Sequence, residues 1–232
     1  MKKILLLILL VLVISAEAIE PAGPATRDTT TISLIKRTAL FATVKKDNDF
    51  CKKTEIFIDK GEYKICFDKQ AKGASLVWYD LDSKNINRNN YRKRPSFHIE
   101  PLFRYEPKYA KYKISAADYS HSGYDRGHMA PDMLFDYNKT VLYKVYSMAN
   151  IVPQLPRVNR YSWHYAEKKA KKACEKYGRV RVFNIIRYKV PYKRLKPGSI
   201  AIPRDFFKII FPIDEDEKIN FNKVESYHVV NK

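Results

Sequence analysis

The chain has 232 residues, 45% of them hydrophobic, and its 44 Lys and Arg outnumber 25 Asp and Glu for a formal net charge of +19. That apolar content excludes a disordered polar tail and is enough for one large domain with a real core. The charge favours polyanionic partners, nucleic acid or anionic lipid, over small neutral ligands, and the three cysteines have no zinc-site spacing.

In chain order, Lys2 and Lys3 precede an apolar run from Ile4 to Ser15, and Ala16-Glu17-Ala18 supplies small residues at a cleavage spacing. Residues 1–18 therefore read as an export signal. A run of this length rises only about 18 Å as a helix, short of a hydrocarbon core of roughly 30 Å, so a membrane anchor is the weaker reading. Cleavage after Ala18 predicts a periplasmic or secreted protein, a setting that permits disulfides. Residues 19–43 follow as an arm, opened by Pro21, Gly23 and Pro24. Residues 44–232 form one domain without an internal repeat.

Val44–Phe67 alternates in short runs, predicting strands near Glu55–Asp59 and Tyr63–Phe67 on either side of Lys60-Gly61. Cys51 and Cys66 flank this hairpin and are placed to bridge it, which leaves Cys174 as a buried or idle thiol. Ser75–Leu81 is the clearest core strand. Asp82–Pro95 is polar, basic and asparagine-rich, as an exposed loop would be, and Pro101–Tyr119 mixes aromatics and lysines without a clean period. Asn159–Tyr177 is the strongest helix, stopped by Gly178. Positions 159, 163 and 167 are spaced by four, so Asn159 and Glu167 face the same way with Trp163 between them. Val180–Ile186, Lys189–Tyr192 and Ser199–Ile202 read as further strands. The expected fold class is α+β, built on an antiparallel sheet.

The chemistry concentrates in Tyr124-Asp125-Arg126-Gly127-His128-Met129-Ala130-Pro131, followed by Asn150, Asn159 and Glu167. A histidine takes a proton near neutral pH, and an arginine grips phosphate with a fixed fork of donors. Amide and carboxylate oxygens suit a hard cation such as magnesium. These are the parts that phosphodiester hydrolysis requires. Each residue also has a bland reading. Asn159 could cap the helix, Glu167 could pair with Lys171 one turn on, Asn150 could be a buried structural amide, and any one arginine could be a solvated charge. His98, His121, His164 and His228 read as surface or packing residues.

Asp125-Arg126-Gly127-His128 resembles the DRGH signature of the DNA/RNA non-specific endonucleases, a ββα-metal (His-Me finger) family. Three further stretches agree with it. Ala149–Gln154 resembles the family's SNI-x-PQ segment, Val158–Glu167 its LNRG-x-W-x-x-LE segment, and Ile200–Ile209 a later strand with an IP-x-x-FYK turn. Arg94–Pro101 resembles its R-x-x-F-x-x-D-P stretch, with Glu100 in place of aspartate. Other departures are Ala149 for serine, Tyr161 for glycine, and a missing T-G-P turn in Val182–Ile186. The resemblance implies a central antiparallel sheet flanked by helices and cleavage of both DNA and RNA to 5′-phosphate ends. It makes His128 the general base and Asn159 the direct ligand of one Mg2+, with Mn2+ admitted as a substitute. Glu167 is expected to reach the ion through water, Arg126 and Arg94 to neutralise phosphate charge, Asn150 to hydrogen-bond near the metal or hold the site loop, and Asp125 to anchor a basic neighbour. A homodimer is left open. Charge and aromatics fit equally well a secreted cationic nucleic-acid-binding protein that does not cleave; a small-molecule phosphodiesterase would not need the charge.

Overall fold

The computed structural model describes residues 50–88, 91–214 and 218–232; the expected export signal and the arm over residues 19–43 lie outside them. Eight strands are present among these: β1 (Glu55–Asp59), β2 (Tyr63–Asp68), β3 (Gly73–Asp82), β4 (Asp125–His128), β5 (Ile151–Gln154), β6 (Arg179–Tyr188), β7 (Pro203–Pro212) and β8 (Glu225–Val230). Five α-helices accompany them: α1 (Ser83–Ile86), α2 (Pro101–Tyr105), α3 (Asp132–Phe135), α4 (Lys139–Val145) and α5 (His164–Tyr177). The large sheet runs β1-β2-β3-β6-β7-β8, and every neighbouring pair in it is antiparallel. β4 and β5 form a separate two-stranded ribbon.

Period-two alternation gives the large sheet two distinct faces. Tyr63, Ile65, Val77, Tyr79, Leu81, Val180, Val182, Phe206 and Ile210 join the main core under the helices. Trp78, Phe183, Ile209 and Phe211 point to the opposite side and pack with Phe50 and Val224. α5 lies across β6 and β7. It approaches them through Ala166, Ala170, Ala173 and Cys174, small side chains at helical spacing that let the two backbones come close. Gly178 ends the helix at φ +79°, a conformation that costs glycine little and other residues more. Cys51 and Cys66 form a disulfide that ties the segment before β1 to β2, and Cys174 is a buried free thiol.

Several local expectations are corrected. The polar stretch after Asp82 opens with α1, capped by the Asp82 carboxylate accepting from the Lys84 N–H at 2.8 Å. Lys189–Tyr192 forms no strand, and Ser199–Ile202 contributes only a single bridge, Arg194 to Ala201. The segment likened to a turn is instead part of β7, a ten-residue strand buried along nearly all its length. β8 was not anticipated, because its half-buried edge position leaves only a weak alternation of exposure. The long helix begins before Asn159, and Val158–Trp163 is wound as a π-helix before α5.

Candidate active site

The DRGH sequence is β4 itself, and its partner β5 holds it in a defined register: Asp125 opposite Gln154, Gly127 opposite Val152, His128 opposite Ile151. Gly127 is required by proximity rather than by an unusual φ. A Cβ built there would lie 2.1 Å from Gln154 Oε1 and 2.7 Å from its Cγ. Behind the strand, the Trp163 indole N–H donates to the His128 carbonyl at 3.1 Å, and the Met129 N–H donates to the Asn150 carbonyl at 3.0 Å. The His128 ring stands against Tyr146 (centroids 4.8 Å apart) and Phe97 (5.5 Å). Phe97 also carries the Arg126 guanidinium at 4.7 Å on its face.

Across from His128 lies the π-helical turn. Asn159 Nδ2 donates to Asp125 Oδ2 at 3.0 Å, while Arg160 grips the same carboxylate through Nε at 2.9 Å and Nη2 at 3.0 Å. This settles which way the amide is turned, because only its nitrogen can donate to a carboxylate. Its oxygen is then left for a ligand. The Asn159 backbone N–H already bonds the Leu155 carbonyl inside the helix, so the capping reading does not hold. Winding by i→i+5 bonds places Asn159 and His164 one π-turn apart, and Glu167 follows His164 at i+3. Arg126, His128, Pro131, Asp132, Asn159, Arg160, His164 and Glu167 line one open cavity of about 330 Å³.

Burial governs the charges here. It pulls the His128 imidazole down to about 4, with the Asp132 carboxylate opposing the shift and Arg94 adding to it, so the ring is neutral at pH 7. Nε2 of His128 is buried without a protein hydrogen-bond partner among the described residues. Burial raises the Glu167 carboxyl, against the pull of the His164 hydrogen bond and the Lys208 charge. The Glu167 pairing with Lys171 is not formed; His164 Nδ1 lies 3.5 Å from Glu167 Oε2, and Lys171 reaches Glu175 instead. His164 is raised, chiefly by that hydrogen bond. Burial also raises Asp125, but the hydrogen bonds from Arg160 and Asn159 more than offset it and leave the carboxyl below its ordinary value.

Beneath the cavity runs a buried polar chain that joins the ribbon to the sheet. Asn184 Nδ2 donates to the Met129 carbonyl at 2.8 Å, and Lys208 Nζ donates to Asn184 Oδ1 at 2.6 Å. Lys208 is fully buried, sits 4.3 Å from the Trp163 ring centroid, and burial pulls its ammonium down to about 8. Asn184 and Lys208 are direct cross-strand partners on the site-facing side of the sheet. The chain fixes the backbone just after His128 to the rigid core.

Of the residues singled out in the sequence, His128, Arg126, Asn159 and Glu167 meet at the cavity. Asn150 and Arg94 do not line it. Asn150 is fully buried and uses its whole amide on backbone: Nδ2 to the Ala130 and Val145 carbonyls, Oδ1 from the Ala130 N–H. It holds the chain after His128, which is the structural reading. Arg94 pairs with Asp132 (3.3 Å) and Asp136 (3.1 Å), so it stands behind Asp132 rather than at the cavity wall. Asp132, Arg160 and His164 are the residues that sequence reasoning missed. His164 was read as surface or packing, yet its place three residues before Glu167 was the available signal.

A two-stranded ribbon delivering a histidine to a cavity walled by a helix, all backed by an antiparallel sheet, is the ββα-metal nuclease fold. The family model described as DNA/RNA non-specific endonuclease matches residues 43–232, and the chain belongs to that family. It is 25% identical over 161 residues to mitochondrial endonuclease G of Bos taurus, covering 65% of this chain and 52% of that protein. Nuclease C1 of Cunninghamella echinulata var. echinulata is 26% identical over 179 residues, covering 70% of this chain and 67% of the relative. The chain thus spans about half the length of the endonuclease G relative. A solved structure of EndoG in complex with EndoGI has the same fold, with a TM-score of 0.64 at 20% identity, covering 91% of this chain and 82% of that one.

Proposed function

We propose that the protein is a metal-dependent endonuclease that hydrolyses phosphodiester bonds of DNA and RNA, leaving 5′-phosphate ends. The observation that carries this reading is the convergence of a neutral imidazole (His128), an amide oxygen turned away from its anchor (Asn159) and a buried carboxylate (Glu167) on one cavity. The donor set fits a hard divalent cation: Asn159 Oδ1 would hold Mg2+, with Mn2+ as a substitute, and Glu167 and Asp132 would face its water shell. When bound, such an ion supplies Lewis-acid neutralisation of phosphoryl charge.

The chain's own residues do the rest. His128, neutral at pH 7, accepts the proton of the attacking water. Arg126 neutralises phosphate charge from the cavity wall. Trp163 holds the His128 carbonyl, Asn150 and Asn184 hold the backbone of Met129 and Ala130 just after it, and Asp125 with Arg160 keeps the Asn159 amide in one orientation. The strongly basic chain, +19 over its 232 residues, attracts the backbone without reading bases. The sequence over residues 1–18 supports export of this activity to the periplasm or beyond the cell.

The test is nicking of supercoiled plasmid and of RNA by purified protein in MgCl2, beside EDTA and beside His128→Ala. The expected loss in the variant is on the order of 10²–10⁴-fold at unchanged fold. A wild-type protein that retards DNA in magnesium without ever cutting it would establish the non-cleaving binder instead.

A further inference from the structure

A second stripe runs along the same helical stretch, one residue round from the cavity wall. Arg160, His164 and Glu167 line the cavity; Tyr161, Tyr165 and Lys168 are their immediate neighbours, and all three are exposed. Tyr161 is 72% exposed and Tyr165 38%, two of the few large hydrophobic side chains left open to solvent among the described residues. Spacing by three and four continues the stripe through Lys168 and Lys172, both exposed. Lys169 lies 5.3 Å from the Tyr165 ring centroid, and no aromatic ring of the described residues packs on Tyr161 or Tyr165.

Two exposed phenol rings about one turn apart, each next in sequence to a cavity-lining residue and accompanied by ammonium groups, match the two faces of a nucleic acid strand. Bases present flat π-faces, and phosphates present charge. A duplex hides its base faces in its own stack, so only an unpaired or melted strand can use both features. We propose that Tyr161 and Tyr165, with Lys168 and Lys172, form a stacking platform that receives unpaired bases beside the cleaved bond and makes single-stranded nucleic acid the preferred substrate. The proposal rests on the nuclease reading of the cavity and names the substrate class for it.

The experiment measures affinity in the full-length His128→Ala protein with MgCl2 at fixed salt. The probes are a fluorescein-labelled single-stranded oligonucleotide of mixed sequence, the same sequence as a duplex, and an abasic strand of equal length. Each base–aromatic stack is worth about 5- to 150-fold in affinity. Tyr161→Ala with Tyr165→Ala should therefore weaken single-strand binding at least tenfold and leave duplex and abasic-strand binding within about twofold. Tyr161→Trp with Tyr165→Trp should restore it. Equal loss on all three probes, or no loss on the single strand, overturns the platform. Cleavage of the same single-stranded oligonucleotide in MgCl2 by the otherwise wild-type protein separates the two ideas. Cutting with tyrosine-independent binding defeats only the platform, whereas tyrosine-dependent binding without cutting defeats only the nuclease reading.

Discussion

Asp125 and Asp205 both hold arginine in bidentate fashion, one at the cavity and one at the far end of β7. Asp205 accepts from Arg187 through Nε at 2.7 Å and Nη2 at 2.8 Å and from Arg204 Nε at 2.9 Å, with His228 Nε2 3.5 Å away. Arg187 and His228 are further stacked on Phe207. Every partner there ends on the carboxylate or on a ring. Asp125 has a similar arginine fork, but its third partner is Asn159, an amide with two ends. One end is spent on Asp125 and the other faces the cavity. The same charge-assisted pairing thus closes a cluster in one place and, in the other, holds an amide of the cavity wall in one orientation. What decides between them is whether a partner keeps an unused acceptor.

The sharpest way to separate the two is to delete each carboxylate. Asp205→Ala removes a carboxylate whose side chain is 3% exposed, while Arg187 and Arg204 remain 25% and 51% exposed and keep water, so the cost falls at the low end of the about 3–5 kcal/mol of a fully buried pair. Urea unfolding should show that loss, while the nicking rate per folded molecule stays near wild type. A large fall in specific activity would mean that the Asp205 cluster also supports the site.

Next in size is the pH dependence of stability near His128. Its folded pKa, about 4, lies below the ordinary imidazole value of about 6.5, so the unfolded chain binds more protons between those values. Stability from this group is complete above about pH 6.5 and is lost as pH falls towards 4, by up to about 3 kcal/mol. Asp205, held well below the usual carboxylate range by its partners, loses its contribution only at still lower pH. Denaturant midpoints across pH 4–7 should therefore be flatter for His128→Ala than for wild type. Parallel curves would show that the ring is not held neutral by burial.

Asp125→Ala should do the reverse of Asp205→Ala. Arg160 is highly exposed and its pairing is screened by solvent, so losing it should leave stability nearly unchanged. Releasing the Asn159 amide, in contrast, should lower Mg2+ affinity and cleavage about 10- to 100-fold, as loss of an outer-shell partner does. Calorimetric titration of the metal and the nicking rate read these two effects independently. Asp125→Asn, which keeps an acceptor for Nδ2, should recover part of the loss.

These clusters also mark where the sequence could and could not be read. The β1–β2 hairpin, the core of β3 and the stop at Gly178 rest on local signals: alternation, a turn glycine, a helix-ending glycine. Asn159 and Glu167 do share a wall, as the spacing by four suggested, although a π-turn lies between them. That same turn hid His164, since five residues on an α-helix point well away from one another. The sequence suggests a phosphate-binding role for Arg94 because its acidic partners, Asp132 and Asp136, lie about forty residues away in the chain. Lys208 was invisible for a related reason. Its segment looked like a turn, and its partner Asn184 is supplied by the register of a neighbouring strand. Local chemistry was legible, and what depended on long-range pairing was not.

The smallest effect asks how firmly the aiming cluster is held by its own strand. Gly127→Ala drives a Cβ into the Gln154 side chain, which is fully buried beside it. Because the clash reaches Cγ of a fully buried glutamine, the whole side chain must shift, at the about 1–3 kcal/mol typical of overpacking. Gly178→Ala is the control: nothing lies within 4 Å of a Cβ there, so only the φ of +79° opposes it, at about 1 kcal/mol. Both variants should lose stability yet differ in function. Moving Gln154 disturbs the residue paired with Asp125, so Gly127→Ala should lose Mg2+ affinity severalfold and Gly178→Ala should lose none. If both bind the ion like wild type, the orientation of Asn159 does not depend on the fit of β4 against β5, and Arg160 alone must hold Asp125 in place.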